Sequence, residues 1–150
     1  MTAIHRVAGA FATASLLVAG VVTIQADDLG SSVNRQLAAA AAATVQYHDF
    51  NVALADGYTD LGLNPFEGTI EFVNFGLVDC TPDVLQPAGL NYVPSGNGLR
   101  LVGVEYSFPM ACGAPPEDFL PGVGEWEPEA GAPVWTLRVP LWSGNSGGSH

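Results

Sequence analysis

The apolar pattern of this 150-residue chain changes its period at Gly57. Residues 33–55 contain neither proline nor glycine, carry alanine at every position of 38–43, and keep the apolar spacing of a helix. This predicts one long helix, with an N-cap at Ser31 or Ser32 and Gly57 as its C-terminal cap. The alternative is that the alanines form a low-complexity spacer, although the richer residues after them continue the same pattern.

After Gly57 the apolar spacing falls to two, and proline, glycine and asparagine punctuate the chain, which is typical of strands. Four strands are predicted, at residues 69–74, 89–93, 99–108 and 134–142. Residues 94–98 predict a hairpin loop between the second and third strands, and residues 110–132 an ordered surface loop. The sequence therefore predicts the α+β class, with one long N-terminal helix followed by a small, mainly antiparallel curved sheet or partial barrel.

The N-terminal residues have the layout of a secretory signal peptide. Arg6 precedes the apolar, uncharged run 7–24, and Ala26 supplies the small residue needed before the cut. The alternative is an uncleaved membrane anchor, because the run is only just long enough to span a bilayer. We predict a signal peptide at 1–26, a single α+β domain at 27–142 and a flexible tail at 143–150. The mature protein is expected to be secreted, extracellular or in the cell envelope, without membrane contact.

The charge balance limits the possible partners. Beyond residue 26 the chain has no lysine and three arginines, which face all fifteen acidic residues. Nucleic acids and anionic membrane surfaces attract Lys and Arg, so neither is expected as a partner. The partner classes left open are a protein and a small molecule, both of unknown identity, and no cofactor is expected.

Cys80 and Cys112 are the two cysteines of the chain. An even count in an exported protein favours a disulfide, with free thiols as the alternative. Neither lies in a C-x-x-C pair or near a histidine, so redox, zinc and thiol-protease chemistry are not indicated.

Motifs for catalysis are missing from the sequence: there is no G-x-S-x-G, Walker loop, dinucleotide glycine triplet or H-E-x-x-H. His48 is the only histidine inside the predicted domain, and we interpret it as a helix residue that covers the edge of the sheet. A histidine-dependent triad would have to be built on it. Whether the protein is an enzyme stays open, and the sequence favours a non-catalytic role.

Three charges fall on the less apolar faces of three predicted strands. Side chains alternate along a strand, so Glu71, Glu105 and Arg138 are each placed opposite an apolar face. One interpretation is that all three are exposed to solvent. The other is that these faces meet in a curved sheet, where the charges must be paired to be tolerated. The candidate ligand-binding residues are therefore Glu71, Glu105 and Arg138.

Leu99 to Tyr106 matches a hairpin of the form Leu-Arg-Leu-Val-x-Val-Glu-Tyr, and Trp135 to Trp142 matches in part a final strand of the form Trp-x-Leu-His-x-Trp-x-Trp. On these specific matches the chain, from Tyr47 to about Gly147, resembles a family of small exported bacterial hypothetical proteins. Weaker matches are Tyr47-His48-Asp49 and the segment Gly68 to Asn74. The resemblance covers about two thirds of the chain.

In that family the resemblance places two histidines and a glutamate at the three face positions, a set that we infer binds a divalent metal. Here the glutamate is kept as Glu105, but Glu71 and Arg138 stand where the histidines would be. Arginine cannot ligate a metal, so no metal ligands are assigned, and a Glu71 to Arg138 ion pair is the hypothesis for that space.

Two functions follow from the sequence. The first is an exported acidic protein that acts as a non-catalytic binding or structural module. The alternative is a metal- or small-ligand-binding β-barrel, either a binding protein or an enzyme, that uses Glu71 and Glu105 as ligands or as an acid–base pair, with Arg138 as an anchor for a carboxylate.

Overall fold

The computed structural model describes residues 26–65 and 67–142. The predicted signal peptide up to residue 25 and the predicted tail lie outside the described residues. The described chain begins with helix α1, Ala26–Thr44, followed by a 3₁₀ turn at Val45–His48 and a short helix α2, Phe50–Ala55.

The single uninterrupted helix predicted up to Ala55 is wrong, because the helical segment is broken after Thr44. The Thr44 hydroxyl donates to the Ala40 carbonyl oxygen at 2.6 Å. Such a bond to the carbonyl four residues earlier in the same helix bends helices. Asp49 then caps α2, since its carboxylate accepts the backbone N–H of Asn51 at 2.9 Å. The break turns the second half of the helical segment onto the sheet.

The predicted N-cap is also wrong, whereas the predicted C-terminal cap is confirmed. Ser31 lies inside α1, where its hydroxyl accepts a hydrogen bond from Arg35 Nη1 at 3.0 Å. At the other end, Gly57 has a positive φ of 94° and the N–H of Tyr58 returns to the carbonyl of Ala53. That left-handed cap ends the helical segment and starts the sheet.

The rest of the described chain forms one antiparallel sheet of six strands in the order β1-β2-β3-β4-β6-β5. The strands are β1, Thr59–Asn64; β2, Thr69–Val73; β3, Gly89–Ser95; β4, Gly98–Pro109; β5, Glu127–Pro128; and β6, Val134–Pro140. The predicted α+β class and the four predicted strands are confirmed, and β1 and β5 are additional edge strands. Part of the predicted 110–132 loop is therefore regular structure, namely β5 and a 3₁₀ turn at Met110–Cys112.

The predicted hairpin joins β3 to β4 through a two-residue loop. Ser95 pairs with Gly98, and Gly96 has a positive φ of 57° at the first loop position. Further along the same pair a β-bulge sets Tyr92 against Leu101 but Asn91 against Gly103. The bulge places Leu101 in the core, so strict alternation of side chains along β4 fails at that point.

One face of the sheet carries the core. Its buried side chains pack with Ala53 of α2 and Leu120 of the loop that precedes β5, and the strand members are Phe72, Leu90, Tyr92, Leu101, Val104, Tyr106, Leu137 and Val139. The Tyr92 hydroxyl donates to the Tyr47 carbonyl at 2.6 Å, and the Tyr106 hydroxyl donates to the Val84 carbonyl at 2.7 Å. These bonds hold the helical segment and the β2–β3 connection against the sheet.

The predicted disulfide is confirmed between Cys80 and Cys112, whose Cα atoms are 5.6 Å apart. It ties the β2–β3 connection to the 3₁₀ turn that follows β4. Among residues 26–65 and 67–142, no helix has the length and apolar character needed to cross a membrane.

Candidate functional site

The second face of the sheet brings together the three charged residues singled out from the sequence. Glu105 on β4 lies directly opposite Arg138 on β6. Glu71 lies on β2, separated from β4 by one strand. The interpretation that the three charges meet, rather than each facing solvent alone, agrees with this arrangement, since Glu105 is only 2% exposed.

A glycine on the intervening strand makes the contact between Glu105 and Glu71 possible. Gly89 on β3 pairs with Glu105, and a Cβ atom at Gly89 would lie 2.9 Å from the Glu105 Cβ and 3.6 Å from its Oε1. The Glu105 side chain therefore lies over Gly89 in space that any other residue would fill. In this position its carboxyl shares a hydrogen bond with the carboxyl of Glu71.

Four carboxyl groups surround the Arg138 guanidinium. Arg138 Nε lies 3.0 Å from Glu105 Oε2 and 3.1 Å from Glu67 Oε1, while Nη2 lies 2.7 Å from Glu129 Oε2. A longer contact of 3.9 Å joins Nη1 to Glu127. Glu71 is not within 4.0 Å of the guanidinium nitrogens, so the direct Glu71 to Arg138 ion pair is wrong and Glu105 stands between them.

Arg138 Nε and Glu105 Oε2 are close together without forming a hydrogen bond. Arg138 Nε carries one hydrogen but faces two oxygens at nearly equal distance, and this N–H is directed at neither. Glu105 Oε2 is likewise buried and accepts no hydrogen bond. The short Nε to Oε2 distance is thus an electrostatic contact, and the Glu105 carboxyl is incompletely satisfied.

The environment keeps a proton on Glu105. Burial is the main cause, and with the neighbouring Glu71 charge it raises the pKa of Glu105 to about 8, against the opposing attraction of Arg138. Burial also raises the pKa of Glu71, although the hydrogen bond from Glu105 favours its charged form. Of the pair, Glu105 is the more buried, so we place the proton there, where it is donated to Glu71.

Arg138 keeps its charge. Burial would lower the pKa of the guanidinium, but the surrounding Glu105, Glu129 and Glu67 carboxyls outweigh burial and raise that pKa. With one cation and five glutamates at positions 67, 71, 105, 127 and 129, the cluster is acidic overall even when Glu105 is protonated.

A cavity of about 260 Å³ adjoins the cluster. The charged residues that line it are Glu71, Glu105 and Glu129, and Arg138 is not part of the wall. The remaining wall consists of the hydroxyl residues Ser107 and Thr136, the turn 130–132 that leads into β6, and the apolar side chains of Leu61, Val73, Phe75, Val78 and Val134. The sheet face, the edge strand β1 and this turn together enclose it.

Sequence reasoning misses three members of the cluster. Glu67 lies in the turn between β1 and β2, and Glu127 and Glu129 lie in or beside the short strand β5. Strand alternation carries no signal for such positions, because a turn or loop reaches the sheet face only through the tertiary fold. The acidic residues Glu127 and Glu129, a few positions before Arg138, are the only hint in the sequence.

Metal ligation is not indicated by the geometry: within the described ranges no group of three or more His, Cys, Asp or Glu side chains is arranged to hold an ion. His48 packs edge-on against Trp142 with ring centroids 4.9 Å apart. Searches against protein-family models, curated proteins and solved structures give no match.

Proposed function

We propose that this protein is an exported, non-catalytic binding module that takes a small molecule into the cavity beside Glu71 and Glu105. The observation that carries the proposal is the buried Glu105 carboxyl, which forms part of a cavity wall and has an oxygen without a hydrogen bond. Concave, mainly apolar sites with a few converging polar groups are the usual form of ligand sites.

A purely structural role explains this cluster less well. Burying charges costs free energy that their mutual attraction repays only when geometry and hydrogen bonding are good, and replacing such pairs by apolar residues is often stabilising. Here four glutamates converge on one arginine, and the Nε to Oε2 contact lacks a hydrogen bond. Perturbed acidic groups beside a cavity are more often found at functional sites.

Export is supported by two features. The signal-like N-terminal sequence predicts it, and the Cys80–Cys112 disulfide fits an oxidising compartment, where such bonds persist. The strongly acidic composition supports solubility outside the cell.

Acid–base catalysis by the Glu71 and Glu105 pair is the second candidate function. It is favoured by the pKa of Glu105 near 8, since a carboxylic acid that keeps its proton at neutral pH can act as a general acid. The described serine and threonine side chains in the cavity have no histidine beside them, because His48 contacts Trp142 instead. Hydrolysis through an activated hydroxyl is therefore not supported.

A fragment screen by ¹H–¹⁵N NMR on the exported protein tests the proposal. The expected result is a set of small molecules that shift the amide signals of Phe75, Ser107 and Gly131 together. Ala132→Trp, which fills the mouth of the cavity at an exposed position, should abolish these shifts, whereas the matched change Ala42→Trp on the exposed side of α1 should not. Screening without a single cavity binder would refute the proposal.

The same samples separate binding from catalysis. A ligand recovered unchanged after prolonged incubation with the protein supports the binding module. A ligand that is converted by the wild-type protein but not by Glu105→Gln supports the acid–base alternative.

A further inference from the structure

The charge on the cavity wall has one sign. Glu71, Glu105 and Glu129 contribute to the wall, while no lysine, arginine or histidine of the described residues does so. Glu129 is held in place by Arg138 Nη2 at 2.7 Å and by the Thr136 hydroxyl at 3.3 Å, so its carboxylate is fixed at the cavity rather than free to turn into solvent. A positive group in the cavity would therefore face three positioned carboxyls.

The Glu105 carboxyl independently indicates the kind of group that the cavity binds. The Glu105 side chain is 2% exposed and its Oε2, 3.0 Å from Arg138 Nε, accepts no hydrogen bond, while its carboxyl is hydrogen-bonded to that of Glu71. Buried carboxyls are stabilised in their charged form by each added donor or positive charge. Arg138 already lies against Glu67, Glu129 and Glu105 and does not meet this need alone.

The opposite part of the wall suits hydrocarbon. Phe75 and Leu61 are 64% and 51% exposed at the cavity, and Val73, Val78 and Val134 continue the apolar surface inward. When a ligand covers large apolar side chains that are exposed around a cavity, the free energy falls by about 25 cal/mol for each Å² of apolar surface removed from water. A bare metal ion would leave that surface uncovered.

We propose that this cavity binds a small organic cation, an amine whose ammonium group faces Glu71, Glu105 and Glu129 and whose hydrocarbon part lies on Phe75 and Leu61. The inference rests on the proposed binding function and specifies its ligand class. The cavity volume of about 260 Å³ lies just below the range of roughly 300–1,000 Å³ for drug-sized ligands, which limits the ligand to a small amine.

Three probes of similar shape test the ligand class: benzylamine, benzyl alcohol and benzoate, each titrated at neutral pH and followed by the amide signals of Phe75, Ser107 and Gly131. Benzylamine should bind at least about tenfold more tightly than benzyl alcohol, which corresponds to a difference of about 1.4 kcal/mol in binding free energy. Benzoate should cause no shift. Equal binding of benzyl alcohol overturns the cationic class but leaves a binding cavity. No cavity shift with benzylamine also overturns it, and the fragment screen then decides the binding function separately.

Variants locate the contacts. Glu71→Gln keeps the shape of the side chain and should weaken benzylamine binding about tenfold, with little effect on benzyl alcohol. Phe75→Ala, at an exposed position where folding is not at risk, should weaken both probes. Glu117→Gln, an exposed acid outside the cavity wall, is the matched control and should leave both unchanged. If calcium chloride displaced benzylamine and itself shifted the same amide signals, the cavity would instead be a metal site.

Discussion

Glu105 is the residue on which the properties of the second sheet face depend. In the folded protein its pKa is raised to about 8, whereas its ordinary value is 4.5. The folded state therefore holds a proton that the unfolded chain releases, and the pKa of the neighbouring Glu71 is raised in the same direction. Stability is greatest below the unfolded pKa and is lost as the pH rises toward 8.

The first prediction is that the melting temperature falls by roughly 5–10 °C between pH 5 and pH 8.5. Differential scanning calorimetry of the wild type and Glu105→Gln measures it. The amide variant cannot titrate, so its melting temperature should change much less over this range, whereas Glu117→Gln should behave as the wild type.

The charged groups that act on Glu105 are Glu71 from β2, Arg138 from β6 and Glu129 from the turn before β6. If the wild-type melting temperature were the same at both pH values, Glu105 would not carry the extra proton. If Glu105→Gln showed the full wild-type fall, another group would be responsible.

Gly89 provides the second prediction. Its replacement by alanine puts a Cβ 2.9 Å from the Cβ of Glu105, which forces one of the two strands or the Glu105 side chain to move. Gly89→Ala should lower the free energy of unfolding by about 1–3 kcal/mol, measured by urea unfolding. Gly98→Ala, where nothing lies within 4 Å, is the matched control. Equal stability of the two variants would show that the close approach over β3 is absent.

At the scale of elements, the disulfide carries the third prediction. Cys80–Cys112 closes a loop with a sequence separation of 32 residues, for which chain entropy gives roughly 3–4 kcal/mol of stabilisation. The double variant Cys80→Ser with Cys112→Ser should lose that amount in urea unfolding, and reduced wild-type protein should match it. A loss below about 1 kcal/mol in both would mean that the bond is strained or that the unfolded chain is already compact.

Sequence patterns predicted the elements that have a strong local signal. The alternation in 99–108 and 134–142, the glycines around Asn97 and the stop at Gly57 each specify a local conformation, and β4, β6, the hairpin and the cap follow them. The patterns failed where tertiary contacts decide. Examples are β1, whose leucines are exposed and whose register shifts after Asp60, and the two-residue strand β5.

In the candidate site, too, only the features that depend on local strand geometry were predictable. Alternation placed Glu71, Glu105 and Arg138 on the correct faces, because that depends only on strand geometry. The partner of Arg138 was not predictable, since the missing side chain at Gly89 directs Glu105 toward Glu71, and Glu67 and Glu129 reach Arg138 from turns. The bulge near Val102 was also invisible to a simple period of two.

At the scale of the whole molecule, the chain is strongly acidic and has few arginines. Arg138 is the arginine that the structure surrounds with carboxyls, whereas Arg35 bonds Ser31 on the surface of α1.

The proposed export leads to the fourth prediction. Expression of the full chain in a secreting host should yield a protein whose intact mass begins at Asp27 and includes the closed disulfide. An exported chain that retains the leader would favour the membrane-anchor alternative.

The central claim is that Glu105 is a buried, protonated acid at a cavity made for a cation. A ¹³C NMR titration of the Glu105 side-chain carboxyl, with and without saturating benzylamine, tests it most directly. We predict a pKa near 8 in the free protein, lowered when the ammonium group is bound, because an added positive charge favours the carboxylate. An ordinary pKa near 4.5 in the free protein, or a pKa that benzylamine leaves unchanged, would contradict the account.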